Sequence, residues 1–258
     1  MGEFDTITSG KFEYLDQGEG TPLLLLHGLM GNLNNFGDQL SYFPEHGFRT
    51  IMPRLPLYDL PLRLSTVKQL TKWVKEFVDH LELPEVVLMG NSLGGHIALM
   101  FQKMYPESTA GMILAGSSGL YESAMGTSFP RRGDRDYIAA RVRDVFEVKE
   151  VATEELIDFV FETVGDRNKA IKTLSISKSA IRHNMSNDLA DLKKPALIIW
   201  GRQDAVTPPD VADKFHELLP DSELHWVENC GHAAMMEHPD TFNEITLKWM
   251  KERIQQTA

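Results

Sequence analysis

The chain has little from which to build a covalent or metal scaffold. Its single cysteine, Cys230, has no partner for an internal disulfide. Among nine histidines there is no His-Glu-x-x-His pair, and one thiol cannot form a thiolate cage, so no metal and no cofactor is expected. Long hydrophobic runs are also absent. The longest apolar stretches are a few residues, against the roughly 20 needed to span a bilayer, and the opening "MGEFDTITSGKFEYLDQGEG" carries no apolar core of a secretory signal. Met1, Gly2 and Thr6 fit the short myristoylation pattern, but no basic cluster follows to supply a second membrane signal, and the match is discounted. Positive charge is in deficit: 26 Lys and Arg stand against 37 Asp and Glu, a formal net charge of -11, which disfavours a phosphate-backbone partner. A cytoplasmic protein that binds neither nucleic acid nor membrane is expected, with its oligomeric state left open.

What is present is a rhythm. "PLLLLHG" (22–28), "FRTIMP" (48–53), "EVVLMG" (85–90), "AGMILAG" (110–116), "PALIIWG" (195–201) and "ELHWVE" (223–228) are short apolar runs separated by helical patterns. In the first of these, Val67, Leu70, Trp73, Val74, Phe77, Val78 and Leu81 recur at three- and four-residue steps. Further helices are expected over about 93–104, 208–219 and 238–254. Buried strands alternating with helices predict a mostly parallel α/β sheet covered on both faces. The rhythm stops between about 117 and 190. There, Ile138, Val142, Val145 and Phe146 share one helical face, and Leu156, Ile157, Val160, Phe161 and Val164 share another. The expected organisation is an α/β core of residues 1–116 and 191–258, with a helical cap over 117–190 above the strand ends, where open α/β sheets bind ligands.

One strand hands over to its helix through an unusual turn. Gly90-Asn91-Ser92-Leu93-Gly94 fits G-x-S-x-G, in which a sharp turn exposes a serine and the glycines remove side chains that would collide. A serine hydroxyl is a weak nucleophile at neutral pH and needs a base with a group to orient it. His232, in "VENCGHAAMMEHP", and Asp204, in "LIIWGRQDAVTPP", each follow an expected strand. The chain order Ser92, Asp204, His232 is the one that hydrolases of this turn use, and these three are the candidate catalytic residues. Glu122 is the alternative acid should Asp204 be dispensable. The loop after His27-Gly28 can aim a backbone N–H at the same point. Leu29 is the candidate oxyanion donor there, with Met30 as fallback, and Leu93 is the second. His27 and His96 are expected to be structural, and Cys230 a small buried residue.

His27-Gly28, Gly90-Asn91-Ser92-Leu93-Gly94-Gly95, Gly201-Arg202-Gln203-Asp204 and Gly231-His232 together resemble an α/β-hydrolase with a helical cap, and the likeness extends over nearly the whole chain. Within that superfamily the sequence is similar to carboxylesterases and to carbon-carbon hydrolases that act on meta-cleavage products. "GNSLGG" and "CGH" suit the latter. The loop after His27-Gly28 instead reads "LMGN" where that branch has a Gly-Pro-Gly type turn, and Ala233 stands where it often has tryptophan. After Pro53, relatives commonly carry Asp-x-Pro-Gly-x-Gly, whereas this chain has "PRLPLYDLP". The lost glycines imply an altered loop near the pocket, with Arg54 and Tyr58 as candidates to line it.

The resemblance implies a serine hydrolase acting on a small or medium, largely apolar carboxylic ester through an acyl-enzyme. Carbon-carbon bond hydrolysis and acyl transfer use the same residues and stay open, and a hydrolase-fold receptor is the binding-class alternative. Ser92 argues against a haloalkane dehalogenase, which would need a carboxylate at that position. The basic stretches "RRGDR" (131–135) and "IRHN" (181–184) read as solvated cap surface rather than a carboxylate clamp. Met235 and Met236 either line the pocket with Met30 or pack under the last helix.

Overall fold

In the computed structural model, which describes residues 4–121 and 131–255, the expected strands join one sheet. Its members are β1 (Ile7–Ser9), β2 (Phe12–Gln17), β3 (Thr21–Leu26), β4 (Phe48–Pro53), β5 (Val86–Asn91), β6 (Thr109–Ala115), β7 (Ala196–Gly201) and β8 (Ser222–Val227). The spatial order is β1-β2-β4-β3-β5-β6-β7-β8. β1 and β2 pair antiparallel with each other, β2 pairs antiparallel with β4, and all other pairs are parallel. After β3 the chain adds β4 on one side and then β5 on the other. The strand order therefore reverses at the β3/β5 pair, where Leu26 lies in register with Gly90, the kind of position outside whose strand ends open α/β sheets bind ligands.

Strand periodicity divides the core in two. Leu24, Leu26, Ile51, Leu88, Leu114, Ile198 and Trp200 face α2 (Val67–His80), α3 (Leu93–Met104) and α7 (Pro209–Leu218). Their neighbours Leu23, Leu25, Met52, Val87, Met89, Ile113, Leu197 and Ile199 face α1 (Gly37–Tyr42), α8 (Ala234–Glu237) and α9 (Pro239–Arg253). Because both faces are covered, the central strands are apolar throughout rather than alternating.

Between β6 and β7 the described residues form α4 (Arg135–Arg143), α5 (Glu154–Gly165) and α6 (Arg167–Arg182). The faces divide between the two cores: Ile138, Val142, Ile157 and Val160 join the α1/α9 side, and Ile176 and Ala180 join the α2/α3 side. Among the described residues, no helix is long and apolar enough to cross a membrane. Met1 and Gly2 of the myristoylation pattern lie outside the described residues.

Two buried histidines make the fold sensitive to acid. His27 Nδ1 bonds the Gly28 carbonyl (2.9 Å) and its Nε2 accepts from Leu55 N–H (3.3 Å). His96 Nε2 donates to the His183 carbonyl (2.9 Å) and so ties α3 to the end of α6. Burial, which disfavours the imidazolium, lowers both from 6.5 to about 4. The unfolded chain binds these protons first. Stability is therefore full above pH 6.5 and falls as pH drops toward 4, by up to about 3 kcal/mol for each histidine. Urea midpoints measured from pH 7.5 to 4 are expected to show this fall, and His96→Gln to remove about half of it.

Candidate active site

The turn after β5 is tight because two glycines, Gly90 and Gly94, let backbones meet. Ser92 has φ 55° and ψ -118°, a conformation that L-residues hold only when their surroundings enforce it. Its N–H donates to the Ala115 carbonyl (3.1 Å), and its own carbonyl accepts from His96 N–H (3.2 Å) and Ser118 N–H (3.0 Å). A Cβ on Gly90 would lie 2.3 Å from Gly94 C, and one on Gly94 would lie 1.9 Å from the Leu26 carbonyl oxygen. α3 therefore starts almost in contact with the end of β3. Gly94→Ala is expected to destabilise by about 3 kcal/mol, since both obstructions are backbone and cannot rotate away. Urea denaturation measures this directly.

His232 and Asp204 meet beneath this turn. His232 Nδ1 lies 2.9 Å from Asp204 Oδ2, with both side chains almost wholly buried. The Asp204 carboxylate is held on both oxygens: Oδ1 accepts from Val206 N–H (2.8 Å) and Thr207 N–H (2.9 Å), and Oδ2 accepts from the Thr207 hydroxyl (2.8 Å). Gly116, at φ +50°, allows the approach, because a Cβ there would sit 2.9 Å from His232 Nδ1 and 3.2 Å from Asp204 Oδ2. Asn91 is a residue that sequence reasoning passed over, since the motif leaves its position free. Its Nδ2 donates to the Ala115 carbonyl (2.9 Å) and to the His232 carbonyl (3.1 Å), which joins the serine turn to the histidine loop. Thr207 was missed for a similar reason, as a hydroxyl in a Pro-rich loop carries no signature.

The loop after β3 passes over Ser92. A Cβ on Gly28 would be 3.4 Å from Ser92 Cβ. The N–H groups of Leu29 and Leu93 are engaged by no acceptor among the described residues, and Leu93 N–H is one of the free donors at the start of α3. The Tyr58 hydroxyl donates to the Leu29 carbonyl (3.3 Å), and the Tyr58 carbonyl accepts from Lys172 Nζ of α6 (2.7 Å). Burial raises the Tyr58 hydroxyl pKa. Tyr58 thus sits between the β3 loop and the inserted helices.

Arg54 is half exposed and paired with Glu13 (2.8 Å) and Asp59 (3.1 Å). Met30 packs on the α1/α9 core. Met235 is fully buried in that same core, and its carbonyl accepts from Gln39 (3.2 Å), so it packs under the last helix. Met236 accepts a contact from Asn35 Nδ2 at its sulfur (3.6 Å). Cys230 is buried, and burial together with the nearby Glu237 and Asp204 carboxylates pushes its thiol pKa well up, so it is a poor nucleophile. Glu122 lies outside the described residues. Among the described residues no group of three His, Cys, Asp or Glu is arranged to hold a metal ion.

Known proteins share this arrangement of the chain. Residues 23–245 match the alpha/beta hydrolase family. The chain is 28% identical to a 2-hydroxy-6-oxononadienedioate/2-hydroxy-6-oxononatrienedioate hydrolase of Comamonas testosteroni, covering 97% of this chain and 99% of the relative. It is also 28% identical to a 2-hydroxy-6-oxo-6-phenylhexa-2,4-dienoate hydrolase of Burkholderia cepacia (91% and 89%). Among solved structures, it is 47% identical to MGS-MChE2, an alpha/beta hydrolase enzyme from the metagenome of lagoon sediments of Mar Chica, Morocco (TM-score 0.81, 96% and 99%). The fold extends to a thermophilic esterase from Thermogutta terrifontis at 22% identity (TM-score 0.76, 98% and 100%). With a strained serine between β5 and α3, a mostly parallel eight-stranded sheet and a family match over most of its length, the chain belongs to the alpha/beta hydrolase family.

Proposed function

We propose that the protein is a serine hydrolase that cleaves a small or medium, largely apolar carboxylic ester. The observation that carries this reading is the buried 2.9 Å contact between His232 Nδ1 and Asp204 Oδ2 at the carboxyl end of the sheet, next to the strained Ser92. With Nδ1–H committed to Asp204, Nε2 keeps the lone pair a general base needs. His232 takes the Ser92 proton as Oγ attacks the acyl carbon. The N–H groups of Leu29 and Leu93 stabilise the oxyanion, each by about 2.7 to 4 kcal/mol. His232 then protonates the leaving alcohol and activates the water that releases the acid. In this reading residues 117–190 act as a cap, and Tyr58 braces the oxyanion loop against it.

An apolar substrate agrees with how the charges are spent. Arg135 pairs with Glu154 and Asp158, Arg143 pairs with Glu154, and Arg131 lies over the Tyr137 ring. Arg54 is likewise neutralised, so these cations are not poised for a substrate carboxylate. The second reading is carbon-carbon hydrolysis of a vinylogous diketone, favoured by the names of the two relatives at 28% identity, one a hydrolase of 2-hydroxy-6-oxo dienedioate and trienedioate compounds and the other of a 2-hydroxy-6-oxo dienoate.

Turnover of short-chain p-nitrophenyl esters, measured beside a ring-cleavage-type diketone in wild type and Ser92→Ala, separates the two. Ester hydrolysis that vanishes in the variant, with the diketone untouched, is the expected result. Preferential diketone cleavage overturns the ester assignment in favour of the carbon-carbon branch, and inertness to both overturns the hydrolytic reading.

A further inference from the structure

Glu237, the last residue of α8, is a buried carboxylate that the reaction above does not use. It is 7% exposed, and no Lys, Arg or His of the described residues forms an ion pair with it. Burying an unpaired carboxylate is strongly unfavourable unless hydrogen bonds to the charged form compensate. Here they come mainly from backbone amides, with the Cys230 thiol as a further neighbouring donor. Gly231 N–H donates to both oxygens (3.0 Å each), Ala233 N–H to Oε1 (3.3 Å), and Glu147 N–H (2.8 Å) and Val148 N–H (3.0 Å) to Oε2.

The donors are placed informatively. Gly231 and Ala233 flank His232, whose own N–H donates to the Val145 carbonyl (3.0 Å). Three consecutive amides of the histidine loop are therefore fixed, two by Glu237 and one by the segment that follows α4. That segment supplies the other two donors to the same carboxylate. The approach is close enough that a Cβ on Gly231 would lie 2.7 Å from the Val145 carbonyl oxygen and 2.8 Å from Glu147 N. The carboxylate thus joins two chain segments about ninety residues apart in sequence, one bearing the base and the other leading out of the first inserted helix.

We propose that Glu237 is a positioning residue for His232: its carboxylate clamps the histidine loop to the 145–148 segment and fixes where the imidazole projects. This rests on the reading of His232 as the base. Glutamine keeps one acceptor and replaces the other with a donor that faces N–H groups. In Glu237→Gln either the Ala233 amide or the 147–148 amides lose their partner, and Gly231 keeps only one of its two bonds. Small displacements of a catalytic group are expensive in rate, so kcat should fall by about 10- to 100-fold. KM should change little, because Glu237 does not touch the substrate. A role confined to overall stability would lower the unfolding midpoint and leave kcat per folded molecule unchanged.

The experiment begins with a fluorophosphonate on the wild type. Failure of Ser92 to label defeats the triad reading before Glu237 is tested, and the positioning role falls with it. With labelling established, Glu237→Gln is expected to label more slowly and to lose kcat at near-constant KM. Wild-type labelling and kcat in the folded variant overturn the proposal. Should the variant not fold, amide exchange in the unsubstituted protein decides. Glu147, Val148, Gly231 and Ala233 are expected to be protected together, and exchange of Gly231 and Ala233 at the rate of exposed loop amides overturns the clamp.

Discussion

Ser92→Ala is expected to lose at least about 10⁴-fold in kcat on p-nitrophenyl esters while remaining folded. The loss is large because no neighbouring group can substitute as nucleophile: burial and two nearby carboxylates hold the Cys230 thiol protonated. Retention of the fold follows from the contacts of Ser92, since those described are backbone bonds to Ala115, His96 and Ser118 that alanine keeps. A companion variant separates chemistry from strain. Alanine inherits the φ 55°, ψ -118° conformation with its penalty, whereas glycine does not. Ser92→Gly should therefore be equally inactive yet more stable than Ser92→Ala, by about 1 kcal/mol. Activity within tenfold of wild type in the folded Ala variant would remove Ser92 from the chemistry. A glycine variant no more stable than alanine would remove the strain argument alone.

How much of this was legible in the sequence depends on what each segment buries. β4 and α3 fall where the sequence puts them, because a strand with five of six residues buried and a helix with ten buried residues leave a strong apolar signal. The hairpin of β1 and β2 was not foreseen. It lies at one end of the sheet with β1 outermost, and "FEYLDQ" of β2 carries Glu13 and Asp16, which interrupt its apolar residues. α6 was missed for a different reason. Its buried face holds Thr173, Ser177 and Ser179 beside Ile176 and Ala180, so it lacks a hydrophobic stripe. Two of the three hydroxyls there are satisfied: Ser177 donates to the Thr173 carbonyl and Ser179 Oγ accepts from Val67 N–H. Polar burial of this kind is invisible to periodicity. In the site, Ser92, Asp204 and His232 stand out because each follows an apolar strand. Asn91 and Glu237 make hydrogen bonds to backbone that only the folded chain brings near, Thr207 bonds the Asp204 carboxylate from a loop without a signature, and Glu237 in "MMEHP" has the look of an ordinary exposed helix residue.

Asp204→Asn carries the other large effect, and its cause lies in which oxygen is replaced. Oδ1 accepts from two backbone N–H groups, of Val206 and Thr207, which are fixed donors and will keep facing an oxygen. The asparagine amide therefore turns its NH₂ toward the place of Oδ2, opposite His232 Nδ1. An NH₂ group can only donate, so it takes the Nδ1 lone pair and the ring proton moves to Nε2. The imidazole then presents a donor, not an acceptor, to Ser92, and cannot remove its proton. A wrong tautomer of this kind has lowered kcat by about 10⁴ in another serine triad, and a similar loss is expected here with KM nearly unchanged. Thr207→Val should behave differently. It removes the hydroxyl bond to Oδ2 but leaves the carboxylate acceptor in place, so the tautomer survives and the fall should stay within about tenfold, in line with the loss of one neutral hydrogen bond. Measuring kcat for both variants on one ester distinguishes tautomer control from simple loss of order around Asp204. Equal losses in the two would mean that Asp204 acts only as a structural member of this loop, whereas a gap of two or more orders of magnitude places its effect on the proton that His232 carries.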